Sequence, residues 1–572
     1  MQTFKLKSET FLGQLSQAHT SRRAFLASLA RSSFAATALV TKSSSAQQTS
    51  RTGRLDLRVF NSASNQSMPA RFHLQLENGL PWTPLAGPSG HHHGDSVPPL
   101  LTGHDFQPMI APVSTSVLAT HLSRGEVVLE LPVGRHRLYV SRGFEYKPLQ
   151  MELTINYDRT TRQEVALERW VDMPAQGYFS GDIHQHFTRT SAQENLYWET
   201  LARSEDVHLV NTMVLKHGEP TNRYSQYAYG DKGTHQNGHY VIVPGEEFRD
   251  NDMSGHVTMA GIHRVIEPVS TGKTLGLREN YPPFAVGCRD AQSQGAIVGW
   301  AHGAVSGSWG GCKGMESVAV EAALGLIHFI EVVQFMTFFG ETFWYRLLGS
   351  GLKVAGVGGT DFPFGIWLAP WYPSFGQERT YVKVNGEFGA KAWFDGVRRG
   401  EVFASNGPML WFKVEGQPSG ATLHLNRNRK VRVEATARCI YPLKVMEVLI
   451  NGQIVHEVYP EKPTGEPIRL DREFSLEQSS WVAVRAKGTV EEGTFGGARQ
   501  WPLFAHSGPV YALLAGKPVR LEPDLKFLSD YTHRFREFVV MNGVFDSPEH
   551  KNIFLGNIDE ALSSYRQRLD GR

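Results

Sequence analysis

Between residues 177 and 360 of this 572-residue chain, short apolar runs alternate with helix-like stretches, and one run after another ends on an imidazole or a carboxylate. The runs lie at 209–215, 240–243, 296–301, 326–333 and 354–357, after a first around 178–183, with helices predicted over 193–207 and 341–352. Strands alternating with helices predict βα units and a parallel sheet or barrel. Folds of that kind collect functional groups at the carboxyl ends of their strands. The first run ends in His184-Gln185-His186 and the second in Lys216-His217. The third ends in Glu246-Glu247, with His256 nine residues beyond, in the adjoining loop. The fourth ends in His302, and the run at 354–357 leads through Gly358-Gly359-Thr360 into Asp361.

Imidazole and carboxylate together suit zinc, manganese or iron, and no thiolate set competes with them. Alternate residues of an extended segment point the same way, so His184 and His186 can meet on one ion. A glutamate can bridge two ions, and two ions can acidify a bound water and stabilise a developing oxyanion. Nine of the chain's 23 histidines fall between 184 and 302, and five of those nine occupy strand-end or adjacent-loop positions. His208, His235, His239 and His263 read as ordinary packing or surface histidines, and His91-His92-His93 as a solvated loop cluster.

Outside this segment the periodicity changes. From about 54 to 167 polar and apolar residues alternate between Gly- and Pro-rich breaks, predicting a β-sandwich. Alternation returns from about 410 to 518, a second sandwich, and the tail from about 523 reads as one or two packed helices. The N-terminus carries Ser21-Arg22-Arg23-Ala24-Phe25-Leu26 before a modest apolar run that Arg31 interrupts, followed by Ser43-Ser44-Ser45-Ala46. That run is too weak to span a membrane. The string resembles a twin-arginine export signal, against the alternative of a basic amphipathic helix. Residues 1–46 hold six basic residues and one acid, so removing them takes the net charge from +2 to −3. A near-neutral to acidic balance argues against a nucleic-acid partner. Three cysteines are too few for a disulfide scaffold, although Cys288 and Cys312 could pair in an oxidising compartment.

Several strings together resemble the PHP (polymerase and histidinol phosphatase) superfamily, and within it the carbaryl-hydrolase-like metallohydrolases (CehA/McbA type). They are Gly181-Asp182-Ile183-His184-Gln185-His186, Pro244-Gly245-Glu246-Glu247 with Gly255-His256, Ala301-His302, Ile330-Glu331-Val332, Gly358-Gly359-Thr360-Asp361 and Ser405-Asn406-Gly407-Pro408. The resemblance runs from Gly177 to Pro408. It implies a distorted seven-stranded βα barrel with two divalent ions, zinc first with manganese or iron as alternatives. His184, His186, Glu247 and Asp361 would hold one ion, and Glu247, His256 and His302 the other. Glu247 would bridge them, with Glu246 as its rival. The family often has Asp-His where Lys216-His217 stands and Asp-x-His where Asp361-Phe362-Pro363 stands, so a dinuclear rather than trinuclear centre is expected. His217 would be a partial ligand or proton shuttle, Lys216 a charge facing an oxyanion, and Arg379 a substrate contact.

The expected organisation is a multidomain chain. It has a signal at 1–46, an N-terminal β-sandwich at 52–172 and the barrel at 173–408, then a C-terminal β-sandwich at 409–520 and a helical tail at 521–572. The expected activity is that of an exported, periplasmic or extracellular hydrolase cleaving an ester, carbamate or amide in a small molecule. A phosphoesterase and a catalytically silent metal-binding scaffold are the alternatives. No membrane insertion is expected once the signal is removed.

Overall fold

The computed structural model describes residues 51–79, 82, 96–97, 120–216, 222, 224–273, 278–304, 316–334, 337–338, 343–362, 375–427, 429–462, 465–490 and 501–571. The segment 1–46, His91-His92-His93, His217, Cys312 and Pro363 lie outside these residues. The described chain is sheet-rich, with helices in the minority. Among the described residues no helix is long and apolar enough to cross a membrane.

Near the N-terminus, strand Thr52–Asn61 shows how alternation becomes packing. Leu55, Leu57 and Val59 are buried while Arg54, Asp56 and Arg58 point outward, as the two-residue period of a strand demands. It lies between Glu126–Pro132 (antiparallel) and Thr160–Leu167 (parallel). A five-stranded sheet, with Gly134–Ser141 between Ala70–Gln75 and Leu149–Ile155, contributes Phe72, Leu138 and Val140 to the same apolar cluster.

The central strands read as near-continuous apolar runs because both their faces are covered. Tyr178–Gln185, Leu209–Val214 and Tyr240–Asp250 are parallel neighbours. Ile297–Trp300, Phe329–Gln334 and Ala355–Gly358 form a second parallel set. Strand Gly255–Ala260 joins the two sets and runs antiparallel to both its neighbours. This corrects the placement of His256 in a loop. The third run does not stop at Pro244-Gly245 but continues to Asp250 and turns back as a hairpin. The cross-strand pair Phe248 and Val257, both fully buried, holds that hairpin against the core. Helices Asn195–Ser204 and Trp344–Gly349 fall inside the stretches predicted for them.

Hydrogen bonding then carries the central sheet into the C-terminal strands. Arg379–Lys383 pairs with Tyr178–Gln185 and with Val402–Ser405, which pairs with Trp501–Ser507. The tail forms two helices. Glu522–Asn542 begins with Pro523 and two acids in its first turn, and Pro548–Asp570 begins at a Ser547 cap that accepts from the His550 N–H at 3.1 Å. Their apolar faces, including Leu528, Phe535, Ile558 and Tyr565, share one cluster with Trp300 and Trp344 of the central region.

One glycine sets how closely two central strands approach. Gly299 lies directly opposite Phe329, and a Cβ there would stand 2.2 Å from the phenyl ring. Gly299→Ala therefore forces the ring off its rotamer or the strands apart. It should destabilise the protein by roughly 1–3 kcal/mol, read as a lower urea midpoint at equal metal content.

Candidate metal centre

Four imidazoles and two carboxylates converge where the central strands end. His184 closes the Tyr178–Gln185 strand and His186 follows it, Glu247 lies within Tyr240–Asp250, and His256 lies on the returning strand. His302 follows Ile297–Trp300, and Asp361 follows Ala355–Gly358. His302 (φ 58°) and Asp361 (φ 54°) both adopt the left-handed backbone region. L-residues enter that region rarely, and it re-aims a side chain at the end of a strand. Gly359 lets the Asp361 segment cross close to the first strand, since a Cβ there would lie 2.9 Å from the His184 Cβ.

The second nitrogen of each ring settles what these imidazoles can do. His184 donates from Nδ1 to Glu331, whose two oxygens lie at 2.8 and 3.0 Å. His186 donates from Nδ1 to the Met213 carbonyl at 3.3 Å. His302 donates from Nδ1 to the Gln334 amide oxygen at 3.0 Å, while His256 Nε2 lies 2.7 Å from the Asn251 amide oxygen and 3.3 Å from the donating Arg249 Nε. For His184, His186 and His302 an acceptor on the outer nitrogen favours the tautomer that leaves the inner nitrogen as a lone pair.

Those inner nitrogens meet in two pairs. His184 Nε2 and His186 Nε2 are 3.1 Å apart, with Asp361 Oδ1 at 3.3 and 3.2 Å from them. His302 Nε2 and His256 Nδ1 are also 3.1 Å apart. Glu247 stands between the pairs. Its Oε2 is 3.4 Å from His186 Nε2, while its Oε1 is 2.9 Å from His256 Nδ1 and 3.5 Å from His302 Nε2. Facing lone pairs repel unless a cation lies between them. Separations near 3.3 Å are the edges expected of a tetrahedron with bonds of about 2.0–2.1 Å. The donors are nitrogen and oxygen only, a set for zinc, manganese or iron. The residues present therefore fit divalent metal, in two candidate groups that have Glu247 in common.

The local field favours positive charge at His184 and negative charge at Glu247. Burial opposes charge on His184, but the Glu331 and Asp361 carboxylates outweigh it and hold that imidazole well above its usual range. Burial likewise opposes the Glu247 carboxylate, yet Arg249 and His256 keep it well below the ordinary value. Burial and the Arg249 guanidinium push His256 down to about 3. The side chains of Asp361 and His302 are 11% and 12% exposed, against 0–3% for His184, His186, Glu247 and His256, so solvent reaches the cluster at that edge.

Glu246 turns away from this cluster. Its Oε2 accepts from the Ile266 N–H at 2.8 Å, and burial raises its carboxyl well above the usual range. Neighbouring residues of a strand point to opposite faces, so only one of Glu246 and Glu247 could face the cluster. Lys216 is half-buried just beyond Leu209–Val214. Arg379 is not placed to meet a substrate. It is buried, donates to the backbone carbonyls of Gly376, Glu205 and Asp206 at 2.5, 3.0 and 3.3 Å, and stacks 4.1 Å over Phe144. It ties the first strand's neighbour to the N-terminal sheets. His208, His239 and His263 lie outside the cluster, and His235 pairs with Glu199 at 2.6 Å.

Two contributors had no role assigned from sequence. Glu331 is the one carboxylate within the apolar strand Phe329–Gln334, and that isolation was the available signal. It orients His184 and also accepts from Thr258 Oγ1 and the His302 N–H, each at 3.1 Å. Asp182 accepts from Thr360 Oγ1 at 2.6 Å, Thr360 N–H at 3.1 Å and Gly376 N–H at 3.2 Å, pinning the chain that leads into Asp361. Cys288 and Cys439 are buried free thiols.

No family model and no curated protein matches this sequence. Among solved structures, a two-domain protein from Bacteroides vulgatus, containing a "predicted PHP-like metal-dependent phosphoesterase", aligns with 57% of this chain and 96% of its own. The identity is 11% and the TM-score 0.29, a similarity that does not assign this chain to a family.

Glu331→Gln keeps the shape but removes the carboxylate that fixes His184. It should weaken metal affinity by about 10–100-fold, measured by competition of the apo-protein with a chromogenic chelator. An unchanged affinity would show that His184 needs no such partner.

Proposed function

We propose that this protein is a metal-dependent hydrolase of PHP type that binds two divalent ions and cleaves an ester, carbamate or amide bond. The observation that carries this reading is a convergence: four imidazoles each turn one nitrogen, in two pairs, toward Glu247, and His184, His186 and His302 have an acceptor on the other nitrogen. His184, His186, Asp361 and Glu247 would hold the first ion, and Glu247, His256 and His302 the second. Ions bound there would supply a water acidified toward neutral pH and an electrophile for the charge that develops on the substrate oxygen.

The chain's own residues divide the remaining tasks. Glu331 and Gln334 hold His184 and His302 in the ligating tautomer, and the Asp182 network sets the approach of Asp361. The partial exposure of Asp361 and His302 marks the edge at which substrate would enter. Lys216 is proposed as a charge beside the oxyanion, and His217 as a proton carrier. Zinc is the first expectation for the metal, and a small molecule for the substrate.

Purified protein should carry close to two equivalents of divalent metal per chain by elemental analysis. Metal well under one equivalent would overturn the reading. Aryl esters, carbamates, amides and phosphoesters tested with Zn²⁺, Mn²⁺ and Fe²⁺ should reveal turnover that Asp361→Ala lowers by at least about 100-fold. Turnover of phosphoesters alone would move the assignment to a phosphoesterase, and none at all with metal bound would indicate a scaffold.

Export is proposed from Arg22-Arg23 and the residues around them. Replacing both arginines by lysine should leave the protein in the cytoplasm of a host with a twin-arginine pathway, where the parent reaches the periplasm. Equal distribution of the two would remove the export reading.

A further inference from the structure

Three residues beyond His186, the loop that leaves the metal-bearing strand buries a guanidinium without an anion. Arg189 is fully buried. Its Nε donates to the Gln226 amide oxygen at 2.6 Å and its Nη1 to the Asn195 amide oxygen at 2.9 Å. Its Nη2 is buried and has no hydrogen-bond partner among the described residues. Among the described residues no carboxylate lies within ion-pair distance of it. Glu194, the nearest acid in the loop, spends its oxygen on the Thr190 N–H.

This arrangement costs stability, because a buried charge is tolerated when it is paired and is expensive when it is not. The partners are also committed elsewhere. The Asn195 amide donates to the Tyr227 hydroxyl at 3.0 Å, and the Gln226 amide donates to the Phe187 and Tyr224 carbonyls at 2.9 and 2.7 Å. The guanidinium plane is thus held from two sides by neutral acceptors, with the Tyr227 ring 5.4 Å away, and one N–H edge is unspent. The same segment adjoins the metal cluster. The Arg189 N–H donates to the Ser225 carbonyl at 2.9 Å, and the ring of Tyr224, next in the chain, is 5.4 Å from that of His186. A preset planar donor with a free edge is the form in which proteins hold carboxylate and phosphate groups.

We propose that Arg189 anchors an anionic group of the substrate, a carboxylate or a phosphate-type oxyanion remote from the bond that is cleaved. The substrate class narrows accordingly, from neutral esters, carbamates or amides to those bearing such a group. This rests on the hydrolase reading of the neighbouring cluster. Among the described residues the guanidinium has no ion pair at contact distance, and the anion would supply one.

The test is thermal unfolding of the metal-loaded protein with glutarate or phenylphosphonate as the carboxylate and phosphate-type probes, in the parent and in Arg189→Met. At least one probe should raise the parent's melting temperature in a concentration-dependent way. The apparent Kd should weaken at least tenfold in Arg189→Met, which keeps its full metal complement. Whichever probe shows this loss names the anion. Equal shifts in both proteins, meaning that the probe binds the ions alone, or no shift in the parent, would overturn the proposal. The metal content of the parent, measured separately, tells failure of the hydrolase reading from failure of this one.

Discussion

A single buried carboxylate sets the terms for the centre of this molecule. Glu247 sits among four histidines in a site closed to water on most sides, where an unpaired negative charge would be prohibitive. Its two oxygens are directed at two different pairs of imidazole nitrogens. Such an arrangement is stable only if positive charge is supplied between the groups, by protons or by metal ions. The second option fits the outer nitrogens of His184, His186 and His302, each of which already meets an acceptor outside the cluster.

The supporting structure follows from that requirement. A ligand set drawn from strands far apart in sequence must be held to within fractions of an ångström, and packing of large side chains does this more rigidly than loops can. The fully buried Trp300 and Trp344 lie in the central core, and the C-terminal helix pair adds Phe535, Ile558 and Tyr565 to the same cluster. The hydroxyl of Tyr531 reaches back to the Glu316 N–H at 2.9 Å, and Asn280 links Val544 of the tail to Asp250 at the end of the Glu247 strand. The tail therefore braces the strands that carry ligands.

Much of the ligand set is legible in the sequence alone. An HxH at a strand end, a glutamate pair after a short apolar run and an aspartate after paired glycines are local patterns, and local patterns survive in one dimension. Helix Pro548–Asp570 is likewise readable from its apolar stripe. Less legible are features that depend on what lies opposite. Only the structure shows that Tyr240–Asp250 continues past Pro244-Gly245, because the cross-strand contact of Phe248 with Val257 holds it in place. Arg379 looks like a substrate contact by its position after a motif, yet its donors meet three backbone carbonyls contributed by segments up to 174 residues away. Residue type does not reveal such partners.

Residue chemistry alone determined that imidazole and carboxylate groups gather at strand ends, since that follows from composition and period. Tertiary structure decided which of Glu246 and Glu247 faces the cluster, which nitrogen of each histidine turns inward, and that Arg189 is buried with no ion pair among the described residues. These depend on side-chain direction and on partners brought together from distant segments. A one-residue change of face or a single acceptor moves them, and neither leaves a mark in the order of residues.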